Sequence, residues 1–232
     1  SMRVKIPFGI AQIGKAFRNE IVAGNFIFRL REFEQMEIEY FIDPETEWEP
    51  LFEKWLELQE EFAREIGAKK EDISRYEHPK EKLSHYSKKT IDTMYNFPFG
   101  IKELFGIAHR SDFDLTQHAK YSGQKLEYLN PETGKKYVPH VLEPTFGVDR
   151  SVLVSLLAAY NEEGEKDEMR VVMKFPKNIA PVKIAVFPLL RNKPELVEKA
   201  KNIFDKLKTS FVCEFDDNGN IDQHKIDLVS RL

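Results

Sequence analysis

The chain has 232 residues, 41% of them hydrophobic, enough to bury a core in one large domain or in a medium domain with a small companion. Lys and Arg number 35 against 39 Asp and Glu, a net charge of −4, so no global basic field advertises nucleic acid and any such surface has to be local. The longest nearly apolar run, residues 152–160 with Ser155 inside it, is too short to span a bilayer, the N-terminus lacks a signal peptide's apolar core, and the single cysteine, Cys213, excludes an internal disulfide, so a cytoplasmic protein with no membrane partner is expected.

Ser1 before Met2 reads as a tag remnant. Residues 8–18 and 26–42 alternate with period two and flank "VAGN" at 22–25, which predicts a long β-hairpin with a Gly-Asn turn. In the first strand Gln12, Gly14, Ala16, Arg18 and Glu20 share one face. In the return strand Arg29, Arg31, Phe33, Gln35, Glu37 and Glu39 share another, while Leu30, Met36, Ile38, Tyr40 and Ile42 point away. Small residues followed by arginines, an aromatic and then acids suit an elongated ligand with phosphates, a flat ring and an ammonium, such as ATP with an amino acid. A solvated face with cross-strand ion pairs is the plainer alternative.

An amphipathic helix follows in "PETEWEPLFEKWLELQEEFAREIG", with Leu51, Trp55, Leu58 and Phe62 on its apolar face and a stop at Gly67. Residues 68–90 read as a charged surface excursion ending in a short helix. Residues 101–108, 125–129 and 136–143 read as strands that extend the hairpin's sheet, with turns at Ser122-Gly123 and Asn130 to Gly134. Val152, Leu153, Leu156, Leu157 and Tyr160 describe a buried helix from Asp149, its expected N-cap. Arg150 then sits in the first turn, against the helix dipole. It is either a surface arginine paired with an acid or, with Gly147 allowing close approach, one facing a polyphosphate. After a linker at 176–181, "VKIAVFPLL" predicts a buried strand and "NKPELVEKAKNIFDKL" a helix with Pro194 in its first turn, opening a second domain near Val182. His109 and His118, nine apart, fit no zinc spacing, and structural hydrogen bonding is the expected role. His78, His85 and His224 read as surface residues, Lys69, Lys70, Lys88 and Lys89 as a solvated run, and Trp48, Trp55, Phe97, Phe99 and Phe105 as core.

Four segments in order, "AFRNEI", "RLREFEQMEIEYFIDP", "GIAHRSDFDLTQH" and "EPTFGVDR", resemble glycyl-tRNA synthetases of the dimeric class II kind over residues 4–213. The resemblance implies an α+β fold, a class II antiparallel sheet flanked by helices at 1–181 and part of a small α/β anticodon-binding domain at 182–232. It implies a glycine–tRNA ligase using ATP and Mg²⁺, with tRNA(Gly) as partner and a homodimer in the intact protein. It assigns nucleotide contacts to Arg18, Asn19, Glu20, Phe28, Arg29, Leu30, Arg31, Glu32, Phe33, Glu103, Leu104, Gly147, Val148, Asp149 and Arg150. Arg18 would hold the α-phosphate and amino-acid carboxylate, Glu20 the adenine amino group, Phe33 the adenine ring and Arg150 the γ-phosphate end. Glu103 would reach a phosphate-bound Mg²⁺. Glycine contacts fall on Phe33, Glu34, Gln35, Met36 and Glu37 and on Glu143, Pro144, Thr145, Phe146 and Gly147, with Glu37 and Glu143 holding the ammonium. Thr145 stands where the family usually has serine. The motif that builds the dimer and the upstream Arg-Pro-Glu-Thr-Ala-Gln-Gly segment are expected before Met2, and "HKIDLVSRL" resembles the family's extreme C-terminus joined after a gap near residue 221, so a piece with weak or absent activity is expected. An inert synthetase-like tRNA-binding module, or a class II ligase for another amino acid, are the competing readings.

Overall fold

The computed structural model describes residues 4–164 and 169–217, so the junction near residue 221 and His224 lie outside the described residues. In chain order the elements are strands β1 (Phe8–Phe17) and β2 (Glu32–Ile42), helix α1 (Glu49–Glu65), and strands β3 (Ile73–Glu77), β4 (Lys89–Phe97) and β5 (Gly100–Ser111). Helix α2 (Phe113–Ser122) precedes β6 (Tyr128–Leu129), β7 (Lys136–Tyr137) and β8 (His140–Gly147), and α3 (Val148–Ala159), β9 (Tyr160–Glu163), β10 (Arg170–Met173), β11 (Ile184–Val186), α4 (Pro194–Leu207) and β12 (Cys213–Phe215) follow. They fall into two compact units, Ser1–Arg64 with Ala68–Leu153, and Glu65–Gly67 with Val154–Leu232.

The first unit is built on a six-stranded sheet in the order β1-β2-β8-β5-β4-β3, antiparallel at every pairing. This is the expected α+β fold. The α1 side carries the core, in which Ile42, Phe52, Leu56, Ile91, Ile107 and Leu142 pack together with Tyr40, Trp48, Leu51 and Trp55 partly buried around them. Burying one of these side chains stabilises by about 1.5–3 kcal/mol.

Several predicted elements shift. The two strands stop short of the turn, β1 at Phe17 and β2 at Glu32, and the chain reverses in a four-residue loop closed by the Gly24–Arg29 bridge. Between them Asn25 and Phe26 both take φ of 56°, and Phe26–Phe28 forms a 3₁₀ turn that carries Arg29 and Arg31 off the strand. The buried stripe of α1 is Phe52, Leu56, Gln59 and Ala63, one position along from the expected one, and Leu58 is 39% exposed. The excursion at 68–90 contains β3 and the start of β4, where Ile91, Thr93, Tyr95 and Phe97 alternate inward. Of the three later strands only β5 and β8 join the sheet. β6 and β7 pair with each other as a separate ribbon, and Pro139, lacking an N–H, separates β7 from β8. Helix α3 starts at Val148, so Asp149 lies inside its first turn and is not its cap.

The second unit contains the ribbon β9–β10 and a parallel pair, β11–β12, joined through α4, which packs on both of its strands. The strand expected to be buried over 182–190 is reduced to Ile184–Val186 and is only half-buried, and Pro194 occupies the first turn of α4 as expected. Gly67 takes φ of +110°, and a Cβ there would stand 3.1 Å from the Ala158 Cβ.

Candidate active site

The face of the sheet opposite α1 carries the site. Cross-strand pairs oppose Gln12 to Glu37, Gly14 to Gln35 and Ala16 to Phe33, so the small and the functional faces of the hairpin coincide. β8 sets Thr145 beside Glu37 and Gly147 beside Gln35, and β5 sets Gly106 beside Thr145 and Ala108 beside Glu143. The floor is low because these positions are small, and a Cβ on Gly106 would come within 3.3 Å of Asp92 Oδ1. Side chains from the hairpin, β5, β8 and the start of α3 wall a cavity of about 320 Å³ over this floor, within the range of small-molecule sites.

Of the arginines that line it, Arg18 and Arg150 come from opposite elements. Arg18 follows β1, its N–H donates to the Arg31 carbonyl at 2.9 Å, and its guanidinium lies 5.7 Å from the Phe33 ring centroid. Arg150 rises from the first turn of α3. Its Nη1 donates to the Glu103 carbonyl at 2.8 Å and stands 3.3 Å from Glu103 Oε1, and its Nε donates to the Phe28 carbonyl at 3.3 Å. The guanidinium sits 4.5 Å over the Phe28 ring, which Phe97 and Phe99 hold edge-on at 5.1 Å each. Glu103 faces the cavity because β5 bulges there. Thr93 pairs with Phe105 and Met94 with Glu103, leaving Leu104 with no partner on β4, which reverses the alternation. The Asp149 carboxylate accepts from the Glu34 N–H at 2.9 Å, tying the start of β2 to the start of α3.

The acids gather at the other end. Carboxylate oxygens of Glu37, Glu39 and Glu143 approach within 4.8 Å of one another. Burial raises Glu143 above the usual carboxylate range, partly offset by Arg110 at 2.6 Å. Burial first, then the charges of Glu143 and Glu37, push Glu39 up to about 7. Such a cluster is short of positive charge, and a bound ammonium would supply it. Arg110 is itself oriented by Asp114, at 2.6 Å, and by the Tyr86 ring 4.2 Å away. Gln35 donates to Glu37, and Thr145 Oγ1 lies 3.5 Å from Glu143 Oε1.

Of the residues expected from sequence, Arg18, Glu20, Arg29, Leu30, Phe33, Glu34, Gln35, Glu37, Glu103, Glu143, Thr145, Gly147, Asp149 and Arg150 line this one cavity. Phe28 and Leu104 border it but are 6% and 1% exposed, so they support the wall. Asn19, Arg31, Glu32, Met36, Pro144, Phe146 and Val148 do not line it. Arg31 Nε donates to the Glu20 carbonyl and Glu32 pairs with Lys15. Strand alternation turns Met36, Pro144 and Phe146 to the core face, where Phe146 packs 5.0 Å from Phe105. Arg110 and His78 were not expected at the site, whereas Glu39, expected on the ligand-facing side of the hairpin, joins the acid cluster. His78, expected at the surface, borders the cavity and its Nε2 is 2.7 Å from Asp92 Oδ2. His109 is fully buried, its Nδ1 accepts from the Ser111 N–H at 3.1 Å, and burial lowers it to about 4, consistent with a neutral structural histidine.

Comparison with known proteins adds a lineage to this geometry. Residues 2–160 match the family model of the tRNA synthetase class II core domain (G, H, P, S and T). Proteins named glycine–tRNA ligase from Caldanaerobacter subterraneus subsp. tengcongensis and Acetivibrio thermocellus are each 51% identical, over 94% of this chain and 47% of their own length. The one from Thermobifida fusca is 50% identical over 95% of this chain and 49% of its own. The chain thus spans about half the length of the curated relatives it matches.

Proposed function

The chain belongs to the class II tRNA synthetase core family, and on that premise we propose that it supplies the ATP and amino-acid site of a glycine–tRNA ligase. The observation that carries this reading is the convergence of Arg18, Phe33 and Glu37 with Glu143 and Arg150 around one small-floored cavity. Glycine's carboxylate attacks the α-phosphorus of ATP, a bond to that oxygen forms, and pyrophosphate leaves. The nucleophile is already an anion, so the step needs positioning and cations more than a general base. Arg18 holds the carboxylate and α-phosphate together and Arg150 draws on the leaving end, with adenine against Phe33 and its amino group at Glu20. Glu37 and Glu143 hold the ammonium. The terminal ribose hydroxyl of tRNA(Gly) then attacks the carbonyl carbon and AMP departs.

Glycine is selected by exclusion: the floor of Gly106, Ala108 and Thr145 leaves little space for a side chain, and a steric wall discriminates best when nothing beside it can yield. Glu103, a hard oxygen ligand, would hold a Mg²⁺ brought in with the ATP phosphates, and the ion would supply further neutralisation of phosphate charge. Residues 1–181 act as the catalytic part and 182–232 as part of an anticodon-binding domain, with a second copy of the chain as partner in the intact protein.

Exchange of labelled pyrophosphate into ATP by the intact protein tests this. Glycine should support exchange and alanine and serine should not. Exchange with another amino acid but not glycine sinks the substrate assignment, and tRNA binding without any exchange favours an inert module.

A further inference from the structure

Gln59 is 0% exposed in the middle of the apolar stripe of α1, the position where a polar amide is most costly unless every group is satisfied. It is satisfied from three strands. Its Nε2 donates to the Gly106 carbonyl at 2.8 Å and to the Thr145 carbonyl at 3.3 Å, and its Oε1 accepts from Thr93 Oγ1 at 3.5 Å. Gly106 and Thr145 are directly paired across β5 and β8, and Thr145 is in turn paired with Glu37 on β2. Thr93 is the last β4 residue before the ladder shifts at the Leu104 bulge. The amide therefore clamps, from behind the sheet, the two backbones that form the floor in front of it. Thr145 also carries the hydroxyl 3.5 Å from Glu143.

We propose that Gln59 is a positioning residue for the amino-acid end of the cavity, fixing the height of the Gly106–Thr145 floor and through it the discrimination of glycine from larger amino acids. This rests on the reading of the cavity as a glycine and ATP site. Gln59 touches no substrate. A leucine of similar size fills the same space but offers the two carbonyls no donor, so the paired strands are free to adjust by tenths of an ångström, where displacements of this order matter to a tightly fitted substrate. The arginine end is held by other contacts, those of Arg150 with Phe28 and Glu103, which Gln59 does not enter.

The test uses the intact protein with Gln59→Leu and, as a milder variant, Thr93→Val, which removes only the hydroxyl that orients the amide. In glycine-dependent pyrophosphate exchange Gln59→Leu should raise KM for glycine by about tenfold while KM for ATP moves by less than about twofold, and the ratio of alanine to glycine exchange should rise. Thr93→Val should move the same two quantities in the same direction by less. Folded variants in which glycine KM and the alanine ratio stay at wild-type values, or in which both KM values rise together, overturn the proposal. If Gln59→Leu does not fold, Thr93→Val decides alone. A wild-type protein that fails to use glycine removes the underlying reading, whereas a glycine-active wild type with unmoved variants removes only the role of Gln59.

Discussion

Glu39 shows how the acid cluster responds to what fills the cavity. Burial and the neighbouring carboxylates push it up to about 7 from an ordinary 4.5, so between those values the folded protein binds more protons than the unfolded one. Unfolding free energy therefore falls as pH rises through that window and levels off above 7. Glu39→Gln should flatten this dependence and leave the variant more stable than wild type above pH 7, as read from melting temperatures across pH 4–8. An ammonium bound at Glu37 and Glu143 works the other way, favouring ionised Glu39, so glycine binding near pH 7 should release protons. Titration calorimetry in buffers of different ionisation enthalpy measures that release, and identical heats in all buffers would contradict it. Arg18→Ala removes the group assigned to both reacting partners and should lower glycine-dependent exchange by about 10²–10³-fold, the usual effect of deleting one transition-state donor. Arg18, Phe33 and Glu37 were legible in the sequence because a period-two pattern sorts them onto one face. Arg110 and His78 were not, because their roles come from partners distant in sequence, Glu143 and Tyr86 for the first, and the fold that brings β3's end against β4 for the second.

Among the elements, those with a strong local signal were readable and those defined by their neighbours were not. Helix α1 was visible from its periodicity, yet its centre is displaced by one residue because Gln59 is drawn inward by sheet carbonyls that no helical pattern encodes. β4 carries a clear alternation of Ile91, Thr93, Tyr95 and Phe97, obscured by the charged residues before it. Inside the connection at 18–31 the chain reverses at the Gly24–Arg29 bridge through Asn25 and Phe26, both in left-handed backbone, a conformation the pair "GN" suggests only for its own two residues. Gly67 did end α1's run, and its φ of +110° makes it a sensitive position. Gly67→Ala should destabilise by about 1–3 kcal/mol, the usual cost of holding a side chain in such backbone. A urea midpoint unchanged from wild type would show that the segment relaxes without strain.

For the whole molecule, the sheet order β1-β2-β8-β5-β4-β3 joins strands from both ends of the first unit, and it is this order that closes the cavity. The order was not legible in composition or periodicity, since register between distant strands is decided by pairing and packing rather than by any one segment. Resemblance of four separated motifs carried the fold class where periodicity stopped. In the proposed function the arginine end and the acid end belong to a single elongated ligand lying along the sheet. A crystal structure of the intact protein with a non-hydrolysable sulfamoyl analogue of glycyl adenylate tests it most directly. Adenine is expected against Phe33, the sulfamoyl group at Arg18, and the amine within hydrogen-bonding distance of Glu37 and Glu143. An analogue bound with its amine away from both acids, or lying elsewhere on the protein, would contradict it.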